Sequence, residues 1–271
     1  MAKVSGEAKQ RYYEKIKEYK SIVEKIQLSE KNMLTLLDKD EHGQSYKRLT
    51  LANENLNMVS YYLLMNELSL SLLGIKNEGF LNEARKTIYK ALIYLEEVVT
   101  SYIDVPYSEY EKNLETISDY GYRQRWDLLC KLGFAVDSLK ESYGTNSKWR
   151  WSFVELEGRF ATISKNMLNL KEILVKLDPR EEGYPIYTAH IRMVKQLLEE
   201  AANSYRQKYE LSTSRLEDFK IAIRYLSALR RLLVLLGETA ESEVVKKKIE
   251  VWKSKMEADS KNREQSTRSQ Q

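Results

Sequence analysis

Apolar residues recur every three or four positions along most of the chain, the period of an amphipathic helix. Tyr12, Ile16, Tyr19, Val23, Ile26, Met33 and Leu37 follow 4-3-4-3 spacing, a coiled-coil-like seam over residues 5–37 that Glu30 interrupts. Residues 38–43 form a polar break. A second helix over 45–73 carries Leu49, Ala52, Leu56, Val59, Leu63, Leu70 and Leu73 on one face, with Tyr62, Leu64, Met65, Leu68 and Leu72 on others. A helix apolar nearly all round is covered by several neighbours, so this one is expected at the centre, with 61–73 the most buried stretch.

The third helix carries Leu81, Ala84, Ile88, Leu92, Leu95, Val99 and Tyr102 and stops before Pro106. Ser108 to Glu111 and Ser214 to Glu217 have the spacing of capping boxes, in which a serine oxygen meets an orphan backbone N–H. Tyr122, Trp126, Leu129, Leu132, Val136, Leu139 and Tyr143 mark another helix. After a loop at 144–147, Phe153, Leu156, Phe160, Ile163, Met167, Leu170, Leu174 and Leu177 predict one uninterrupted helix of seven turns. The loop at 178–185 holds Pro179 and Pro185, each of which biases its predecessor away from helix. Three more helices follow, on Tyr187 to Tyr209, Ala222 to Leu236, and Val245 to Met256.

The expected fold is therefore all-α: about eight mostly long antiparallel helices in a bundle or a short array of helical hairpins. Scarce turn residues, 10 glycines and 3 prolines in 271, argue against an all-β alternative. Residues 1–258 are expected to form one domain, with 178–185 as its one candidate sub-boundary. The polar residues 259–271 are expected to be a disordered tail. Leu73 and Gly74 ahead of Ala84, Ile88 and Ala91 form a pattern faintly similar to the tetratricopeptide repeat. The glycine-to-alanine distance is two residues short and the pattern does not recur. Small residues at a close helix crossing account for the same positions.

Several chemistries lack their residues. The two histidines, His42 and His190, stand in no zinc or di-iron spacing, and there is no phosphate-binding glycine loop and no nucleophile elbow. The acidic group Asp38, Asp40 and Glu41 fails as a calcium loop because its twelfth position is Leu49. No metal ligands, catalytic residues or cofactor are expected. The single cysteine, Cys130, is expected to be a buried inert thiol. Without a disulfide or an apolar leader, the expected location is cytoplasmic. The longest apolar-rich stretch, 61–75, is too short to span a bilayer.

The remaining signals are charge and aromatic-basic composition. Residues 77–120 hold 9 acidic and 4 basic side chains, and 246–271 hold 4 and 8. Tyr122, Arg123 and Arg125 beside Trp126, and Lys148, Trp149 and Arg150 beside Trp151, gather three of the four tryptophans. Trp and Arg together make interface anchors and also grip nucleic acid, while the same residues serve equally as core anchors with solvated heads. Lys220, Arg224 and Arg231 share a helix face that could receive an acidic segment. The expected function is a non-catalytic helical scaffold or adaptor that binds another protein, a second copy of itself included. The alternatives are binding of an anionic polymer or surface (nucleic acid or acidic membrane) through Lys246, Lys247 and Lys248, and an all-helical enzyme without a local motif.

Overall fold

The computed structural model describes residues 4–39, 43–144 and 147–268, without the side chains of 38, 39, 264 and 266–268. Among the described residues the fold is all-α, with ten α-helices and no strand. They are α1 (Gly6–Lys39), α2 (Gln44–Leu73), α3 (Glu78–Val98), α4 (Glu111–Glu115), α5 (Tyr122–Tyr143), α6 (Arg150–Asn166), α7 (Leu170–Lys176), α8 (Tyr184–Lys208), α9 (Leu216–Leu235) and α10 (Thr239–Arg268). A 3-10 turn at Tyr107–Glu109 and a π-helical turn at Tyr209–Thr213 complete the order. None of these helices is long and apolar enough to cross a membrane.

The chain divides into two compact units. The first comprises residues 1–100 and 112–150, the second 101–111 and 151–271. The expected boundary at 178–185 therefore lies inside the second unit. Proline and glycine there shape a turn ahead of α8, whose N-terminal turn accepts Pro185 because that position needs no intrahelical N–H bond.

In the first unit α2 is the central helix, packed by α1, α3 and α5. Its most buried part is the N-terminal half: Leu49, Leu51, Ala52, Leu56, Met58 and Val59 are all at most 3% exposed. The expectation for 61–73 fails, since Leu64 and Leu70 are 45% and 44% exposed. The turn into α3 is built by two asparagines. Asn66 Oδ1 accepts from Asn77 N at 2.9 Å, and Asn77 Oδ1 caps α3 by accepting from Phe80 N at 3.1 Å.

In the second unit α9 lies between α8 and α10. The seven-turn helix expected over 153–177 is two helices. Asn169 restarts the chain as the N-cap of α7, accepting from Glu172 N at 3.3 Å. The stretch 160–168, at the end of α6 and just beyond, is the longest continuously buried segment of the described residues, and it includes Thr162, Ser164, Lys165 and Asn166. Gly158 permits close packing here: a Cβ on it would lie 2.7 Å from Tyr225 Oη and 2.8 Å from Tyr205 Cε2.

Neither serine caps a helix. Ser108 lies within the 3-10 turn. Ser214 takes a left-handed conformation at φ 50°, and Thr213 does its work, accepting from Arg215 N at 3.2 Å and donating to Asp218 at 2.6 Å. The polar tail is also not free of the fold as far as it is described. α10 continues to Arg268, and Tyr209 Oη donates to Asp259 at 2.7 Å and accepts from Arg263 at 3.1 Å.

Candidate functional site

The two aromatic-basic segments sit at opposite ends of α5, a helix of 22 residues and so about 33 Å long. They do not form one surface. At the N-terminal end Arg125 is buried and its Nε donates to the Tyr120 carbonyl at 2.8 Å, closing the loop that leads into the helix. Tyr122 is half-buried and Arg123 exposed. At the other end Trp149 is half-buried, with the Arg85 guanidinium 4.2 Å above its ring and Tyr143 edge-on at 6.4 Å. Lys148 pairs with Glu78 at 3.3 Å, and Lys76 donates to the last carbonyl of α5, on Tyr143, at 3.1 Å. Trp149 thus fastens the end of α5 to the start of α3, while Arg150 is exposed.

The basic residues elsewhere are largely occupied. On α9, Lys220 pairs with Glu217 at 2.6 Å and Arg231 with Asp104 at 2.9 Å, while Arg224 is exposed. In the lysine run, Lys246 pairs with Glu243 at 3.2 Å, and Lys248 pairs with Glu199 at 3.0 Å and lies over the Trp252 ring. Of the three only Lys247 stands exposed, because consecutive helical residues point 100° apart. Cys130 is exposed rather than buried. Partial burial and then Asp127 push its thiol pKa up, which disfavours the nucleophilic thiolate. His190 is buried with Nε2 2.9 Å from the Ser164 carbonyl. Among the described residues no three His, Cys, Asp or Glu side chains converge as metal ligands, and Asp40, Glu41 and His42 lie outside them.

The first unit carries a groove over α2 between α1 and α3. Lys20, Val23, Glu24 and Gln27, spaced to share one face of α1, form one wall. Asn77, Gly79, Phe80 and Glu83 form the other, Tyr62 and Met65 of α2 lie beneath, and the cavity measures about 390 Å³. Val23 and Met65 are buried and Phe80 is half-buried, whereas Lys20 and Glu24 stand exposed at the rim. The groove therefore has an apolar floor and a rim of both charges.

One end of this arrangement is tied by Glu30. With the spacing continued, position 30 is a seam position of α1, and its carboxylate is only 6% exposed. It accepts from Asn55 of α2 at 3.0 Å, and from Lys90 at 3.1 Å and Tyr94 at 3.0 Å, both on α3. Burial pushes its pKa up, but the bonds from Asn55, Lys90 and Tyr94 outweigh it and hold the pKa below the ordinary value of 4.5. One carboxylate thus joins three helices two turns from the groove floor. Glu30→Gln is expected to cost about 1–3 kcal/mol at pH 7, the range for a hydrogen bond to a charged group. Because the folded pKa is lowered, the contribution is present above pH 4.5 and is lost as pH falls through the folded value. Urea denaturation at pH 7 and pH 3 checks this: the gap between wild type and variant should narrow in acid.

These features define an all-helical protein whose first unit presents a three-helix groove. Residues 8–260 match the TP0443 family, and the chain belongs to that family. Comparison with curated proteins and with solved structures finds no match.

Sequence reasoning missed the groove and the Glu30 cluster. The one signal for the cluster was the glutamate in register with an apolar seam. For the groove there was none, since its lining comes from three helices whose neighbours the pattern does not name.

Proposed function

We propose that the protein is a non-catalytic, cytoplasmic helical adaptor that receives an amphipathic segment of a partner protein in the groove between α1 and α3. The observation that carries this reading is the groove's composition: an apolar lining at Val23, Met65 and Phe80 with Lys20, Glu24 and Glu83 around it. Helix-in-groove recognition uses this combination, the floor taking side chains spaced at i, i+3 or i+4 and the rim charges setting orientation. The α1 wall from Lys20 to Gln27 rises about 10 Å, which matches about two turns of a docked helix. Phe80 is the natural anchor, because aromatic side chains in partly desolvated pockets dominate interface energetics. The lysines at 246–248 offer less to an anionic polymer, since two of the three are engaged with glutamates.

The test is in-cell photocrosslinking from position 80, with position 253 on the exposed face of α10 as the comparison. The expected result is a discrete adduct from position 80 alone. Binding of the partner so identified should weaken about thirtyfold with Phe80→Ala, the effect of a 2 kcal/mol anchor. The combined change of Lys246, Lys247 and Lys248 to Gln should leave binding within about threefold. Sedimentation over a range of concentrations tells a second copy of this chain from a foreign partner. Equal adducts from both positions, or loss of binding with the lysine change alone, would sink the proposal.

A further inference from the structure

The charged border of the first unit's groove extends beyond its apolar lining. On α1, positions 17, 20, 24, 27 and 31 recur at 3-4-3-4 spacing and so follow one edge of the helix. They are Lys17, Lys20, Glu24, Gln27 and Lys31, all exposed. None of the four charged members forms an ion pair among the described residues. Lys20 lies 5.9 Å from the Phe80 ring centroid, at the end of the groove where α3 begins. The facing edge, on α3, is close to neutral. Glu83 pairs with Lys86 at 2.8 Å, and Lys90 pairs with Glu30 at 3.1 Å. The α1 edge therefore carries three lysines against one glutamate, an excess of positive charge that the α3 edge does not cancel.

We infer that the segment this groove receives is an acidic-flanked amphipathic helix, with carboxylates about three turns apart at the two ends of its apolar face. The inference rests on the reading of the groove as a helix receptor. Lys20 and Lys31 are 11 residues apart, which sets them about 16 Å apart along the axis of α1. A helix lying beside α1 brings glutamates 11 positions apart next to both. Between them its apolar side chains, at i, i+3 or i+4 and i+7, meet Val23, Met65 and Phe80. Lys17 adds a further donor one turn beyond Lys20. Glu24 stands between the lysine positions, so the middle of the segment suits a basic residue and repels a carboxylate. A nucleic-acid backbone fits this pattern poorly, because its evenly spaced phosphates would set one against Glu24 and leave the apolar lining unused. The lysines are exposed, so their attraction acts mainly on the rate of encounter and on register, while Phe80 holds the docked helix.

The probes are two dye-labelled synthetic peptides of one length and one apolar pattern. The first has glutamates 11 positions apart and a central lysine, and the second has these charges exchanged. Their binding to the full-length chain is read by fluorescence anisotropy. The glutamate-flanked peptide should bind about tenfold tighter, a few-fold for each exposed pair, and the advantage should shrink as sodium chloride is raised. Changing Lys17, Lys20 and Lys31 together to Glu should reverse the order of the two peptides, with circular dichroism verifying the fold. Lys31→Glu alone, remote from the Lys20–Phe80 contact, should already narrow the difference about threefold. Equal affinity of the two peptides, each weakened by Phe80→Ala, would leave the groove a helix receptor and overturn its preference for an acidic segment. Failure of both to bind overturns the inference too, and crosslinking from position 80 then decides the groove reading on its own. Binding of the glutamate-flanked peptide that ignores Phe80→Ala and is displaced by duplex DNA or phosphatidylserine vesicles would assign the lysines to an anionic polymer or surface, and the inference would fall.

Discussion

Phe219→Ala is expected to destabilise the second unit by about 3–5 kcal/mol, the range for truncating a fully buried phenylalanine. Phe219 is 0% exposed and is among the largest fully buried side chains. It projects from α9 between two rings: Tyr209 lies stacked at 4.9 Å and 18°, and Trp252 tilted at 5.9 Å and 46°. Tyr209 begins the π-helical turn after α8 and Trp252 sits on α10, so one ring joins three segments. Trp252 is in turn covered by Arg206 and Lys248, at 5.0 and 5.3 Å from its ring. The loss should therefore spread. Urea denaturation would show the drop in stability, and hydrogen exchange would show α10 opening ahead of α6. Phe219→Leu, which refills part of the volume, should cost appreciably less. A loss below about 1 kcal/mol for the alanine variant would mean that α10 is held by its other contacts alone.

The second large effect has the opposite sign. Lys165→Met should raise stability at pH 7 by about 2 kcal/mol, and the gain should vanish above pH 10.5. A proton affinity lowered from 10.5 to about 8 corresponds to about 3 kcal/mol against the charged form in the folded state. Loss of the cation–π contact with Tyr110 takes back about 1 kcal/mol. Between pH 8 and 10.5 the unfolded chain binds more protons at this position than the native one, so wild-type stability rises with pH across that window. Below pH 8 both states are protonated and the full penalty stands. Above 10.5 both are neutral and the penalty is gone. Denaturation of both proteins at pH 7 and pH 10.5, in buffer without small anions, reads this directly. A difference that does not change with pH would show that Lys165 is solvated in the native state.

The two buried charged groups are held differently. Glu30 is buried with Asn55, Lys90 and Tyr94 bonded to it, and it stiffens the helices that frame the groove. Lys165 is buried along its side chain, and its ammonium lies over the Tyr110 ring. The first belongs to the scaffold on which a partner would dock, and the second sets the pH dependence of the second unit's stability.

The sequence determined the helices, because their 3.6-residue period is a local property. The seam from Tyr12 to Leu37 is buried or half-buried at each apolar position, and even Glu30 keeps its register. Scarce glycine and proline also set the all-α class before any contact was known. The tertiary structure decided which apolar faces would meet. Leu64 and Leu70 stand exposed on a helix apolar nearly all round, while Ser164, Lys165 and Asn166 are buried. Periodicity assigns a residue to a face but does not say what packs against that face. The same limit explains the charged residues. Lys148, Arg231 and Lys248 read as free cations along the chain, yet each found its carboxylate at a distance of tens of residues or more. The break at Asn169 and the bonds of Asp259 and Arg263 to Tyr209 arise in the same way, from hydrogen bonds that local spacing does not record.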